Sequence, residues 1–177
     1  MLRSIERCFG VLMLALMVAS AIGCQSKPRM VKLNLGIERH EKLQNRGVEV
    51  HLVGVKEGER DKWTQDPPGK YWEPNYHLRV NADDLGLIRR IAEFTPNGQL
   101  GPIWVSANDP IWETWEKSGA MHLFIYAQGV AVEGLTGDSQ VLKQLPIDSC
   151  SYVRRQRVMI SIMPSQITVN PPPRAPD

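Results

Sequence analysis

The sequence predicts an all-β fold: a two-sheet antiparallel β-sandwich with one or two short helical insertions, after an N-terminal signal peptide. Three observations carry this. Apolar residues recur with period two in four separate stretches, as strands with one face in a core require. Turn signals such as Asn45-Arg46-Gly47, Pro96-Asn97-Gly98 and the run from Gly134 to Gly137 separate most of the stretches. Helical signals are few and never alternate with strands in the manner of a parallel sheet. No internal repeat is present.

In chain order, Val31, Leu33, Leu35 and Ile37 alternate with Lys32, Asn34, Gly36 and Glu38. Val48, Val50 and Leu52 alternate with Glu49, His51 and Val53. A short helix is expected near Lys56–Thr64, and weaker strands at Tyr76–Val80, Leu87–Phe94 and Ile103–Val105. The stretch DPIWETWEKSG reads as a helix. Asp109 serves as N-cap and Pro110 suits the first helical position. Lys117 sits favourably near the end, and Gly119 takes the left-handed stop. Ile111 and Trp115, four apart, share a face, with Trp112 three before Trp115. Met121, Leu123, Ile125 and Ala127 then alternate with His122, Phe124 and Tyr126, followed by a weaker strand at Val141–Leu145. Val158, Ile160 and Ile162 alternate with Met159, Ser161 and Met163. The sandwich domain is therefore assigned to residues 31–169. Residues 170–177, NPPPRAPD, are expected to be a Pro-rich disordered tail, since consecutive prolines cannot donate to a sheet.

Ahead of the domain, Arg3 and Arg7 against Glu6 make a positive start, and Phe9 to Ile22 is an uncharged apolar stretch of 14 residues. A membrane-spanning helix needs about 20, so the stretch fits the apolar region of a secretory signal better. Its end, SAIGCQ, admits three readings: the end of a transmembrane helix, an ordinary cleavage site, or a lipid-attachment site. The small residues Ala21 and Gly23 suit a signal peptidase, and a cysteine directly after such a segment resembles the bacterial lipoprotein signal, with Ala21 standing where leucine is commonest. That resemblance implies a signal peptide over 1–23, cleavage after Gly23, fatty acids such as palmitate on Cys24, and acylation of its new amino group. A plain secreted protein with an incidental cysteine is the alternative. Two or three acyl chains on one residue hold a protein stably at a membrane. Gln25 in the next position implies outer-membrane sorting in a Gram-negative cell. A tether over 24–30 then reaches about 20 Å at most and keeps the domain close to the bilayer.

Removing Arg3, Arg7 and Glu6 from the 21 basic and 19 acidic residues leaves 19 and 18. So balanced a composition offers no argument for nucleic acid or a strongly anionic partner. With Cys8 lost in the leader and Cys24 acylated, Cys150 is left without an intrachain partner and is expected to be buried as a small apolar residue. None of His40, His51, His77 and His122 stands at a zinc-ligand spacing and no CxxC pair is present, so no metal site and no cofactor is expected. There is no GxSxG elbow, SxxK or Gly-rich phosphate loop. An enzyme is not expected.

The aromatics are more informative. Trp63, Tyr71, Trp72 and Tyr76 cluster around one connection, and Trp104, Trp112 and Trp115 around another. Such rings suit both cores and contact surfaces. In one reading they pack over the sheets. In the other, Trp63, Tyr71, Trp72 and Trp112 are exposed anchors for an envelope protein partner, or a stacking platform for a solute or glycan.

The order of features, a lipoprotein signal, KLNLGIERH, a loop with Asn45, VEVHLVGV, an aromatic-bearing connection, MHLFIYAQG and a closing RVMISIMPSQITV, resembles the small outer-membrane lipoprotein of the type VI secretion membrane complex. KYWEP and DPIWETWEKSG depart from that family's pattern. The resemblance implies a transthyretin-like sandwich with added helices, hung from the outer membrane into the periplasm. Its partner would be the periplasmic end of the large inner-membrane component of the secretion complex.

Overall fold

The structure, a computed structural model, describes residues 27–96, 98, 101–130 and 139–175. The signal peptide, Gly23, Cys24 and the start of the tether lie outside the described residues. The strands are β1 (Asn34–Arg39), β2 (Val48–Lys56), β3 (Ile88–Phe94), β4 (Ile103–Val105), β5 (Ala120–Val130), β6 (Ser139–Pro146), β7 (Arg157–Ile162) and β8 (Ile167–Asn170). The helices are α1 (Arg60–Thr64), α2 (His77–Asp84) and α3 (Ile111–Ser118). None is long and apolar enough to cross a membrane.

Two four-stranded sheets, ordered β4-β1-β7-β8 and β3-β2-β5-β6, pack as the all-β sandwich the sequence predicts. Neighbours run antiparallel except β1 and β7, which pair in parallel from Asn34↔Arg157 to Arg39↔Ile162. The period-two reading places side chains correctly here. Leu35 and Ile37 of β1 and Val158, Ile160 and Ile162 of β7 face Val50, Leu52, Leu123 and Ile125 of the other sheet across one apolar core. At the sheet edge, Lys143 of β6 stands in the inward phase between Val141 and Leu145, opposite Ile125, and is exposed.

Helix α3 enters the same core, and its two indoles are fully buried. The Asp109 carboxylate accepts from the Ile111 N–H at 3.0 Å, and Gly119 ends the helix at φ 77°. Each indole N–H finds a backbone acceptor, Trp112 on Ser106 O at 2.9 Å and Trp115 on Leu87 O at 2.8 Å. The Trp115 ring lies so close over β2 that a Cβ on Gly54 would meet it at 2.3 Å.

The sheet β3-β2-β5-β6 is buried on its other face too. Val53, Val55, Phe124 and Tyr126 pack beneath Trp63 of α1, Tyr71 of the short 3-10 turn Pro68–Trp72, and Tyr76 ahead of α2. The inserted segment 57–85 is thus a lid over this face. The expected helix near Lys56–Thr64 is present as a 3-10 turn running into α1. The expected strand at Tyr76–Val80 is corrected: most of it is helix α2, which closes with Gly86 at φ 66° and a bond from Leu87 N–H to Ala82 O at 2.8 Å.

The ends also differ from expectation. Residues 29 and 30 of the tether join the fold through a bond from Ser149 N–H to Arg29 O at 2.8 Å and a bridge between Met30 and Asp148. The disordered tail expected over 170–177 is corrected as far as residue 175. Asn170 closes β8, the Tyr152 hydroxyl donates to Pro171 O at 3.4 Å, and Arg174 N–H donates to Ser151 O at 3.1 Å.

Candidate functional site

The sandwich has two ends, set by the direction of β1. The chain enters beside Asn34 and reaches the far end at Arg39. At the far end the buried Arg39 guanidinium donates to the carbonyls of Arg46 and Thr95 at 2.8 Å and of Gly98 at 3.3 Å. Its charge meets three carbonyl dipoles, tying the turns around 46 and 95–98 together. At the entry end, Arg29 exchanges bonds with Ser149, its N–H donating to the hydroxyl at 3.3 Å and its carbonyl accepting from Ser149 N–H at 2.8 Å.

A recess of about 630 Å³ opens at the entry end, lined by Pro28, Arg60, His122, Gln144, Cys150 and Arg174 among others. His122 donates through Nε2 to the Glu57 carboxylate and accepts from Gln144 at 3.3 Å on Nδ1. The Asp148 carboxylate is occupied by the N–H groups of Cys150 and Ser151 at 2.8 and 2.9 Å. Cys150 is half-buried and disulfide-bonded, which corrects the expectation of a buried thiol without an intrachain partner. Its partner lies outside the described residues. A sulfur held in a disulfide is no nucleophile. Among the described residues no group of three or more His, Cys, Asp or Glu is placed to hold a metal.

The structure corrects the exposure expected of the aromatic anchors. Trp63 is 5% exposed, Tyr71 1% and Trp112 0%, so these rings are core, not contact surface. Trp72 is half-buried, its ring 4.7 Å from that of His51 and edge-on to Tyr71 at 5.0 Å. Trp63, Tyr71 and Trp72 do come together, on the underside of the lid, while Trp112 lies in the other core. Tyr71 stacks on Tyr126 with centroids 3.8 Å apart and 7° between planes. The physical reason is the sheet beneath: its outward phase is itself apolar and must be covered.

A polar chain runs under the lid. His51 Nε2 is 2.7 Å from a Glu49 carboxylate oxygen and Nδ1 is 2.7 Å from the Tyr71 hydroxyl. A carboxylate only accepts, so Nε2 carries the proton and Tyr71 donates to Nδ1. Gln128 completes the chain, donating to the other Glu49 oxygen at 2.8 Å. Burial pushes the His51 pKa down against the raising influence of Glu49. For Glu49, burial acts upward, but the hydrogen bonds from Gln128 and His51 and the nearby charges bring the carboxyl below its usual range. Burial also raises the Tyr71 hydroxyl far above its ordinary value, so it stays a donor. Every member has a partner, which makes this a structural network.

The exposed indole is Trp104, grouped in sequence with Trp112 and Trp115 but not among the expected anchors. It is 46% exposed on the outer face of the other sheet, with the Arg157 guanidinium 5.7 Å from its ring centre. Gly36 and Met159 lie beneath it. The signal was available: in Ile103-Trp104-Val105 the indole occupies the phase opposite the two aliphatics.

No protein-family model matches the chain, and no curated protein matches it. Among solved structures it is similar to Lip of Serratia marcescens, described as a membrane bound component of the Type VI Secretion System. The two share 9% identity and a TM-score of 0.40 over 85% of this chain and 99% of that chain. The resemblance is distant and carries no argument about this chain's role.

Proposed function

We propose that the chain is a lipid-anchored protein of the bacterial cell envelope that acts by binding another protein, without catalysis. The most concrete form is the small lipoprotein of a type VI secretion membrane complex, in the outer membrane and facing the periplasm. One observation carries the reading: a positive start and 14 uncharged, mostly apolar residues end in small residues and Cys24, only a few positions before the first fixed contacts of the folded body. The acylated Cys24 holds the entry end at the bilayer. The far end, where Arg39 joins the turns around 46 and 95–98, then reaches away from the membrane towards the partner, the inner-membrane component of the complex.

Intact-mass measurement on protein purified from membranes tests the anchor. The expected species begins at Cys24 and carries a diacylglyceryl thioether and an acylated amino group. An unmodified chain in the soluble fraction, or one with its leader attached, overturns the reading. On this reading the Cys150 disulfide does not persist in the mature protein, because Cys8 leaves with the leader and the acylated Cys24 sulfur cannot serve a second bond; a disulfide from Cys150 to Cys24 in the isolated protein overturns the reading. Co-purification of a large inner-membrane protein with the anchored chain tests the binding role.

A further inference from the structure

We infer that the entry end of the sandwich is a basic surface that lies against an anionic lipid bilayer. Three segments meet there: residues 27–34, residues 147–157 and residues 171–175. They are held together by bonds from Val31 N–H to Ile147 O, Asn34 N–H to Gln156 O, Arg155 N–H to Lys32 O and Arg174 N–H to Ser151 O. Between them they carry seven cationic residues, Lys27, Arg29, Lys32, Arg154, Arg155, Arg157 and Arg174, and one acid, Asp148. The whole chain has a net charge of only +2, so the remainder of the body is acidic and the molecule is strongly polarised.

These charges are available. All except Lys32 are exposed, and only Lys32 forms an ion pair among the described residues, with Glu116 at 3.3 Å. Asp148 is committed to backbone N–H groups. The acids bordering Arg154 and Arg155 are Asp109 and Glu113, and Asp109 already holds the α3 N-terminus and faces Arg89 at 3.5 Å. On α1 and the turn before it, Glu57 and Asp61 are opposed by Arg60. Arg155 holds φ 61°, unusual for a residue with a side chain, at the tip of this surface.

Two apolar groups stand among the cations, Val153 at 54% exposure and Trp104 at 46%. Tryptophan and arginine side by side suit the headgroup level of a bilayer, where an amphipathic ring and a cation are both accommodated. The occupant follows from charge and from where the chain comes in. Lys27 lies three residues after Cys24, a reach of about 10 Å. This placement rests on the anchor proposed above: a body tethered so closely at its basic end has the lipid surface as its nearest anion.

Vesicle flotation tests the inference apart from the anchor. The mature chain from position 24 is prepared without its leader, and so without acyl chains, with Cys24 retained so that Cys150 keeps its one cysteine partner in the mature chain. It should float with vesicles of 30% phosphatidylglycerol in phosphatidylcholine, remain behind with pure phosphatidylcholine, and lose binding as salt rises. Replacing Arg154, Arg157 and Arg174 together by Gln should weaken binding about a hundred-fold, near five-fold for each removed charge. The far-end pair Lys42→Gln and Arg46→Gln should leave it unchanged, with near-UV circular dichroism confirming that each variant is folded. No flotation, equal flotation with neutral vesicles, or equal losses in the two variants overturns the inference. Acylation plays no part in the measurement, so this failure and a failure of the anchor are read separately.

Discussion

The two sheets have the same inward face and opposite outward faces. In β3-β2-β5-β6 the outward residues Val53, Val55, Phe124 and Tyr126 are sealed under Trp63, Tyr71 and Tyr76. In β4-β1-β7-β8 the outward face carries Glu38, Ser161, Met159 and Trp104, none of them fully buried and Trp104 well exposed. The difference teaches where aromatic residues are structural and where they are free. A ring that closes a lid over an apolar strand phase is spent on stability. A ring on a polar phase remains at the surface.

The largest test of that contrast is a pair of truncations. Trp63→Ala removes a buried indole from the lid and should cost about 3–5 kcal/mol in chemical unfolding. Trp104→Ala on the open face should stay within about 0.5 kcal/mol of the parent. Similar losses from both would show that the open face is a core in disguise. Glycines offer a finer version. A Cβ on Gly54 meets the buried Trp115 ring at 2.3 Å, whereas one on Gly36 meets the end of the Met159 side chain at 2.6 Å. Gly54→Ala should therefore cost about 1–3 kcal/mol, measured by thermal melting, and Gly36→Ala less, because Met159 swings aside.

The smallest effect is a pH dependence confined to the lidded sheet. The folded His51 pKa lies below its unfolded value, so the native state binds fewer protons than the unfolded chain as pH falls below the ordinary histidine range. Stability is full above that range and is lost as pH drops towards the folded pKa. Glu49, also depressed, adds a loss of the same sign below the ordinary carboxylate range. Denaturant midpoints measured from pH 7.5 down to pH 4 should decline, and His51→Gln should flatten the first part of the decline. An unchanged slope in that variant would place the titration elsewhere.

Much of the sandwich was legible because inward phases alternate cleanly in β1, β2, β5 and β7. The lid was legible as well, though alternation pointed away from it. HLVGV in β2 and HLFIYA in β5 are nearly continuous apolar runs, the mark of strands covered on both faces. Weighing that against period two would have placed Trp63 and Tyr71 in a core. Helix α2 carries a strand-like alternation of Tyr76, Leu78 and Val80, yet Gly86 is the stop signal of a helix ending just before it. The parallel pairing of β1 and β7 leaves no trace in sequence, since partner choice depends on how the chain crosses between sheets. The basic entry end was hidden by near-neutral overall composition. Its seven cations come from three segments that only the fold brings together.

Lys143 has a further consequence. Its strand, β6, is an edge with backbone donors and acceptors facing outward, open to annealing with the matching edge of a neighbouring copy. Stacking two such edges into one continuous sheet would bury the Lys143 ammonium against an apolar interior with no counter-ion. A charge in the inward phase of an edge strand thus disfavours annealing of two copies edge to edge.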